Sequence, residues 1–222
     1  MITSMKRLAS AIALVSLTAP ALADPLTVAL EHNGGILCFT RSYDAAWLKA
    51  HRGQTIREVR FALAYSGDSR DWPMLRMSLR GTGKPIYVYG PCEWWDKDLN
   101  RGVQDNVLDP TFKGNRGIGC HMMTDTTGVS AEEGGDFPVA WGDGRYVQVH
   151  LGGGATGWRS YDVSRPVSHP DLSPADSIFR LYRAPASECR ELVTKFAPRA
   201  SRRSGVVSST SAIVESSDSE TR

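Results

Sequence analysis

In Val59-Arg60-Phe61-Ala62-Leu63-Ala64-Tyr65 a large apolar side chain stands at every second position, with small or charged ones between. Successive side chains of a strand point to opposite faces, so this period of two predicts a half-buried β-strand. Leu75, Met77 and Leu79 alternate in the same way with Arg76, Ser78 and Arg80. The pattern recurs at Ile86–Tyr89, Ile118–Met123 and Tyr146–Leu151, and Leu26–Glu31, Ile36–Thr40, Trp158–Val163 and Ile178–Tyr182 complete the strand set. Asn33-Gly34-Gly35, Gly81-Thr82-Gly83 and Gly142-Asp143-Gly144 supply hairpin turns, because Asn and Gly tolerate positive φ. Eight to ten short strands joined this way predict an all-β protein, an antiparallel barrel or sandwich.

Two short helices break the pattern. One is expected over 43–52, with Ser42 as N-cap, Tyr43 and Trp47 on one face and Gly53 as its stop. The other is expected over 188–197, with Ser187 as N-cap, Pro198 as terminator, and Cys189, Leu192, Val193 and Phe196 at i, i+3, i+4, i+7. A helix of about ten residues is marginal alone and needs tertiary packing.

At the start of the chain, Lys6 and Arg7 precede an apolar run from Leu8 to Leu17 and a small-x-small site at Ala21-Leu22-Ala23. These are the marks of a cleavable signal peptide over 1–23, with cleavage after Ala23 and a periplasmic or secreted destination. A run of about ten apolar residues is too short for a membrane span of ~20. Residues 199–222, rich in Ser, Thr and charge, offer little to bury and read as a disordered tail. A single β-rich domain over 24–198 remains. The sequence holds 26 Lys and Arg against 24 Asp and Glu, and removing Lys6 and Arg7 balances the signs. That balance gives no reason to expect nucleic acid as a partner.

Export converts four cysteines into disulfide candidates. Of the three possible pairings, Cys92–Cys120 with Cys38–Cys189 is preferred, the first bracing the stretch between two strands and the second tying the last helix to an early strand. No Cys-x-x-Cys motif suggests redox work. Cys120-His121-Met122-Met123 has soft-metal residue types, yet on a strand they split between two faces, so a site there would need ligands from elsewhere, such as His150.

Asp96, Asp98 and Asn100 open like a calcium loop. The glycine then falls at Gly102 and the twelfth position is Val107, where a bidentate Glu is required. Gly152 to Gly157 lacks the Lys-Ser/Thr ending of a phosphate loop. No Gly-x-Ser-x-Gly elbow or His-Glu-x-x-His pair is present, and no cofactor is implied. Glu132, Glu133 and Asp136 are the carboxylates with which a hydrolase of envelope or extracellular polymers would work.

Aromatic residues carry the remaining signal. Of 19 Phe, Trp and Tyr, 12 lie between Tyr65 and Tyr161. Trp94, Trp95, Trp141 and Trp158, set among polar loop residues, are the expected contact surface for a protein or saccharide ligand. Arg76 and Arg80, with Arg60, form an expected positive stripe for a carboxylate or phosphate. The function read from the sequence is an exported binding module without catalytic machinery; the alternatives are the hydrolase above and a structural envelope component.

Overall fold

A computed structural model describes residues 24–66, 69–96, 116–124, 134–142, 144–152, 154–161, 165 and 167–195. Eight strands run β1 Ile36–Ser42, β2 Glu58–Ser66, β3 Ser69–Arg80, β4 Ile86–Asp96, β5 Arg116–His121, β6 Asp136–Gly142, β7 Tyr146–His150 and β8 Ile178–Ala184. Each pairs antiparallel with the next in sequence, and β8 returns to β1, so the sheet closes as a barrel. This is the barrel of the two architectures that the alternation allowed. Closure leaves no free sheet edge.

The two faces of the sheet have different coverings. Phe39, Phe61, Leu63, Met77, Phe137 and Phe179 are among the fully buried side chains of the interior. Burial of each large apolar side chain contributes ~1.5–3 kcal/mol. A second cluster lies outside β1–β4, where Cys38, Ala62, Tyr87, Tyr89, Trp158 and Leu192 pack together. It is roofed by α3, Ala186–Lys195, which touches β1, β2 and β3, and by the segment around Trp158. Glycine permits that close approach: a Cβ at Gly157 would sit 2.3 Å from the Tyr87 carbonyl oxygen.

Five sequence expectations need correction. Residues 26–31 form a helix, α1 Pro25–His32, where a strand was expected. Leu26 and Leu30 are four apart and both buried, Pro25 suits the first helical turn, and the Asp24 carboxylate accepts from Thr27 N and Oγ1, each at 2.8 Å. Gly34 and Gly35, at φ 64° and 80°, end it. There are thus three short helices, one more than expected. Of the strand expected over 158–163, residues 158–161 are described and form none: Trp158 makes an isolated bridge to Tyr87. Asp136–Gly142 is a strand outside the expected set; Phe137 and Val139 are buried on one face. The helix expected over 43–52 is α2 Ala45–Ala50, capped by Asp44, whose side chain accepts from Trp47 N at 2.7 Å, and not by Ser42. α3 begins at Ala186, one residue before the expected Ser187 cap. The stretches 1–23 and 199–222 lie outside the described residues.

Both expected disulfides form. Cys92 and Cys120 face each other directly across β4 and β5, with Cα atoms 4.2 Å apart. Cys38 of β1 joins Cys189 of α3, residues 151 apart in sequence. The barrel end that carries α2 is tied by one buried carboxylate. Asp176, in a 3₁₀ turn over Pro174–Asp176, is fully buried and accepts from Thr55 N at 2.8 Å, Thr55 Oγ1 at 2.7 Å, Ile56 N at 3.1 Å and Ser173 Oγ at 3.0 Å.

Two stability measurements follow from these ties. Cys38→Ser with Cys189→Ser should lower the urea unfolding free energy by about 2–4 kcal/mol, because the bridge restricts a long stretch of the unfolded chain. Asp176→Ala should cost about 3 kcal/mol or more, since it strands buried donors on two segments, and Asp176→Asn, which keeps one acceptor oxygen, should cost less.

Candidate functional site

The residues singled out in the sequence are mostly used inside the fold. Trp94 and Trp141 are partly buried against the barrel interior, their rings edge to face at 6.0 Å, and Trp141 meets Phe39 at the same distance. Trp95 faces outward but is only 5% exposed. Trp158 is 1% exposed, held under the outer layer by paired backbone hydrogen bonds to Tyr87 at 2.7 and 2.8 Å. Trp94, Trp95 and Trp141 therefore stand in strands, not loops, and the four indoles are not brought together on one surface.

The arginines also differ from an open stripe. They share the outward face of β2 and β3, as the alternation requires. Arg76, however, is 2% exposed, its Cζ 5.4 Å from the Tyr89 ring centroid, and donates to the carbonyls of Ala64 and Met74 at 3.4 Å. Burial lowers its pKa from the usual guanidinium range. Arg60 pairs with Glu58. At Arg80 burial pulls the pKa down, but Glu58, Tyr87 and Tyr161 outweigh it and leave the guanidinium raised.

The carboxylate readings are not assembled either. Glu132, Glu133, Asp98 and Asn100 lie outside the described residues, and of Asp96 only the backbone is described. Asp136 sits across β5–β6 from His121, 2.5 Å from its Nδ1, and is half exposed. Cys120 of the soft-metal quartet is spent in its disulfide, while Met122 and Met123 are buried. Among the described residues no group of three or more His, Cys, Asp and Glu gathers as a metal site. A cavity of about 280 Å³ near Met122 and Leu151 holds Thr156, whose Oγ1 lies 3.1 Å from His169 Nδ1. No third group orients that imidazole among the bonds recorded for the described residues.

One partly exposed constellation does form, around the half-buried Arg41. Its guanidinium lies 4.9 Å from the Tyr43 ring centroid, 4.7 Å from Trp47 and 5.5 Å from Tyr182. Its Nη1 donates to the Arg180 carbonyl at 3.4 Å, which ties it to β8. His51 stacks on Trp47 with centroids 3.9 Å apart, and Trp47 Nε1 donates to Gln54 Oε1 at 2.9 Å. Trp47 is 37% exposed, Tyr182 49% and nearby Ile178 of β8 52%. Burial is the main cause that raises the Tyr43 phenol pKa, while Arg41 pulls it down. Cation–π contacts of this kind contribute ~0.5–1 kcal/mol each at exposed sites. Together they fix a flat group of rings and a cation before any ligand arrives.

Sequence reading noted the Tyr43–Trp47 pair but missed Arg41, His51 and Tyr182 as its companions. The available signal was Tyr43, Trp47 and His51 at i, i+4, i+8 beside a helix of six residues. So short a helix cannot bury its own aromatic face.

Comparison with family models, curated proteins and solved structures finds no match for this chain. The reading of function therefore rests on the geometry.

Tyr161 gives a measurable check on the outer layer beside Arg80. Burial, then its hydrogen bond with Tyr87, raises its phenol to about 12. An unfolded tyrosine ionises near pH ~10, so the folded chain holds a proton there that the unfolded chain loses. This group's contribution to stability should be intact below pH ~10 and lost as pH rises through about 12. Ultraviolet titration should show one phenol ionising near the top of that range, and Tyr161→Phe should abolish that component.

Proposed function

We propose that this protein is an extracytoplasmic binding module that docks a partner protein through the Arg41 face. The observation that carries this reading is the pre-packed group of Arg41, Tyr43, Trp47, His51 and Tyr182, of which Trp47, His51 and Tyr182 are exposed. Trp, Tyr and Arg are the residues in which protein interfaces concentrate binding energy, and their ring-on-cation packing lowers the ordering cost of association. Arg41 and Arg180 favour a partner that presents carboxylates beside apolar groups. A periplasmic or secreted setting, reached through the signal at 1–23, is part of the proposal. Two disulfides support it, and no described helix is long and apolar enough to cross a membrane.

The test is site-specific photocrosslinking in producing cells. A benzoyl-phenylalanine at position 182 should give one discrete adduct in the envelope fraction, and Arg41→Ala or Trp47→Ala should remove it, each truncation weakening binding by about 2 kcal/mol. The same probe at position 190, on the exposed side of α3, should give none. No adduct at 182, or the same adduct at both positions, would overturn the reading. A Trp47 fluorescence shift with envelope saccharides, without an adduct, would move the ligand class from protein to glycan.

A further inference from the structure

The barrel has a second chemically distinct feature, at the end that carries α1. β4, β6 and β8 all run toward that end, and each places a polar-edged or charged side chain on its inward face one or two residues before it finishes: Trp94, Trp141 and Arg183. Arg183 has the same parity as the buried Phe179 and Leu181. It stands directly opposite Phe39 across the β8–β1 ladder, and its Cζ lies 5.1 Å from the Phe39 ring centroid. Phe39 touches Trp141, and Trp141 touches Trp94, each pair at 6.0 Å. An inward guanidinium and two inward indoles thus line one continuous aromatic wall.

Two donors on that wall have no acceptor. The Trp94 Nε1–H is buried without a hydrogen-bond partner. The Arg183 guanidinium makes no hydrogen bond or ion pair among the described residues; its recorded contact is the Phe39 ring. Burial alone shifts its pKa, downward, with no carboxylate offsetting it. A buried N–H is ordinarily satisfied, and a cation partly shielded from water gains from an acceptor. Trp94 supplies the unsatisfied N–H, and Arg183, which is only partly buried, supplies a cation with no anion beside it among the described residues. Arg183, Trp141 and Trp94 are each partly rather than fully buried, so they keep contact with solvent beside α1, whose Leu26 and Leu30 fill part of this end. An eight-stranded barrel is wide enough for one small ligand.

We propose that the α1 end of the barrel binds a small organic anion, with a carboxylate or sulfonate head on Arg183 and an apolar body against Phe39, Trp141 and Trp94. The head supplies the acceptor that the guanidinium lacks, and the charge-assisted bond is stronger for being partly shielded from water. The rings supply apolar contact for the body, and an acceptor atom within it would satisfy the indole N–H. Arg183 leaves β8 on the opposite side from Tyr182, and Arg41, two residues after Phe39 on the same side of β1, stands nearer the α2 end.

The test uses the full-length oxidised protein and the fluorescent sulfonate 8-anilinonaphthalene-1-sulfonate, displaced by octanoate or octanol. Octanoate should displace the probe at a concentration at least tenfold below octanol. Arg183→Gln should weaken probe and octanoate binding tenfold or more, Arg183→Lys should retain most of it, and Arg190→Gln, on the exposed side of α3, should leave it within twofold. Thermal melting separates this from a structural role: without ligand, Arg183→Gln should melt at or above the parent, since it removes an unpaired charge, and octanoate should raise the parent's midpoint but not the variant's. Equal competition by octanol, or Arg183→Gln binding within twofold of the parent, would overturn the proposal. So would an Arg183→Gln variant that melts lower and binds the anion unchanged.

Discussion

Closure of the sheet between β1 and β8 is the constraint on which everything else stands. That ladder pairs three positions, Cys38 with Ala184, Phe39 with Arg183 and Thr40 with Tyr182, whereas β2 and β3 pair nine. Without it the meander would be an open sheet with two free edges and no enclosed core. The staple sits at this short seam. Cys38 occupies its first paired position, and its disulfide partner Cys189 lies on α3, which begins two residues after β8 ends. One covalent bond therefore holds both sides of the closure, and the helix it pins roofs the outer face of β1–β3. The seam also distributes the chemistry: Tyr182 goes outward to the Arg41 group, while Arg183 goes inward over Phe39.

Most of the barrel was legible because a period of two survives wherever one face is dry. Val59 to Tyr65 and Leu75 to Arg80 have the faces that their alternation assigned, and both disulfide pairings followed from where strands and helix had to lie. The failures have local causes. Leu26 and Leu30 fit a period of two and a spacing of four equally well, and the deciding evidence was the flanking Asp24-Pro25 and Gly34-Gly35. β6 contains Pro138, which lacks a ladder donor and ordinarily demotes a strand. Yet Phe137 and Val139 keep the inward alternation and Pro138 sits opposite Gly119. Trp158 is strand-like in composition but serves as a plug, which no periodicity encodes.

The site was less legible, and the reason is the second layer. Alternation puts Trp94 and Trp95 on opposite faces of β4, but outward means solvent only where nothing covers the sheet. α3 and the Trp158 segment cover β1–β4, so an outward Tyr89 or Arg76 is as buried as the core. Clustering of tryptophans in sequence thus reported a thick structural layer. The exposed aromatics come instead from α2, which buries no residue at all, and from β8, whose outward Ile178, Arg180 and Tyr182 are all exposed.

These coverings limit where recognition can occur. The interior is packed with phenylalanines along most of its length, the α2 end is shut by the Asp176 carboxylate and its donors, and the outer face of β1–β4 is roofed. Among the described residues the seam side of the sheet and the part of the α1 end beside Leu26 and Leu30 stay less covered. On the seam side the polar groups are satisfied by one another: Arg41 by rings and a carbonyl, the Trp47 indole by Gln54. At the α1 end they are not, for the Trp94 N–H and the partly exposed Arg183 guanidinium have no acceptor among the described residues. A satisfied, rigid surface suits association with a large partner, where little reorganisation is needed. Unsatisfied donors in a shielded aromatic enclosure instead select something small enough to enter and charged enough to offset their desolvation. The two places therefore differ in the kind of ligand they favour, and the difference comes from whether the protein itself completes the hydrogen bonds.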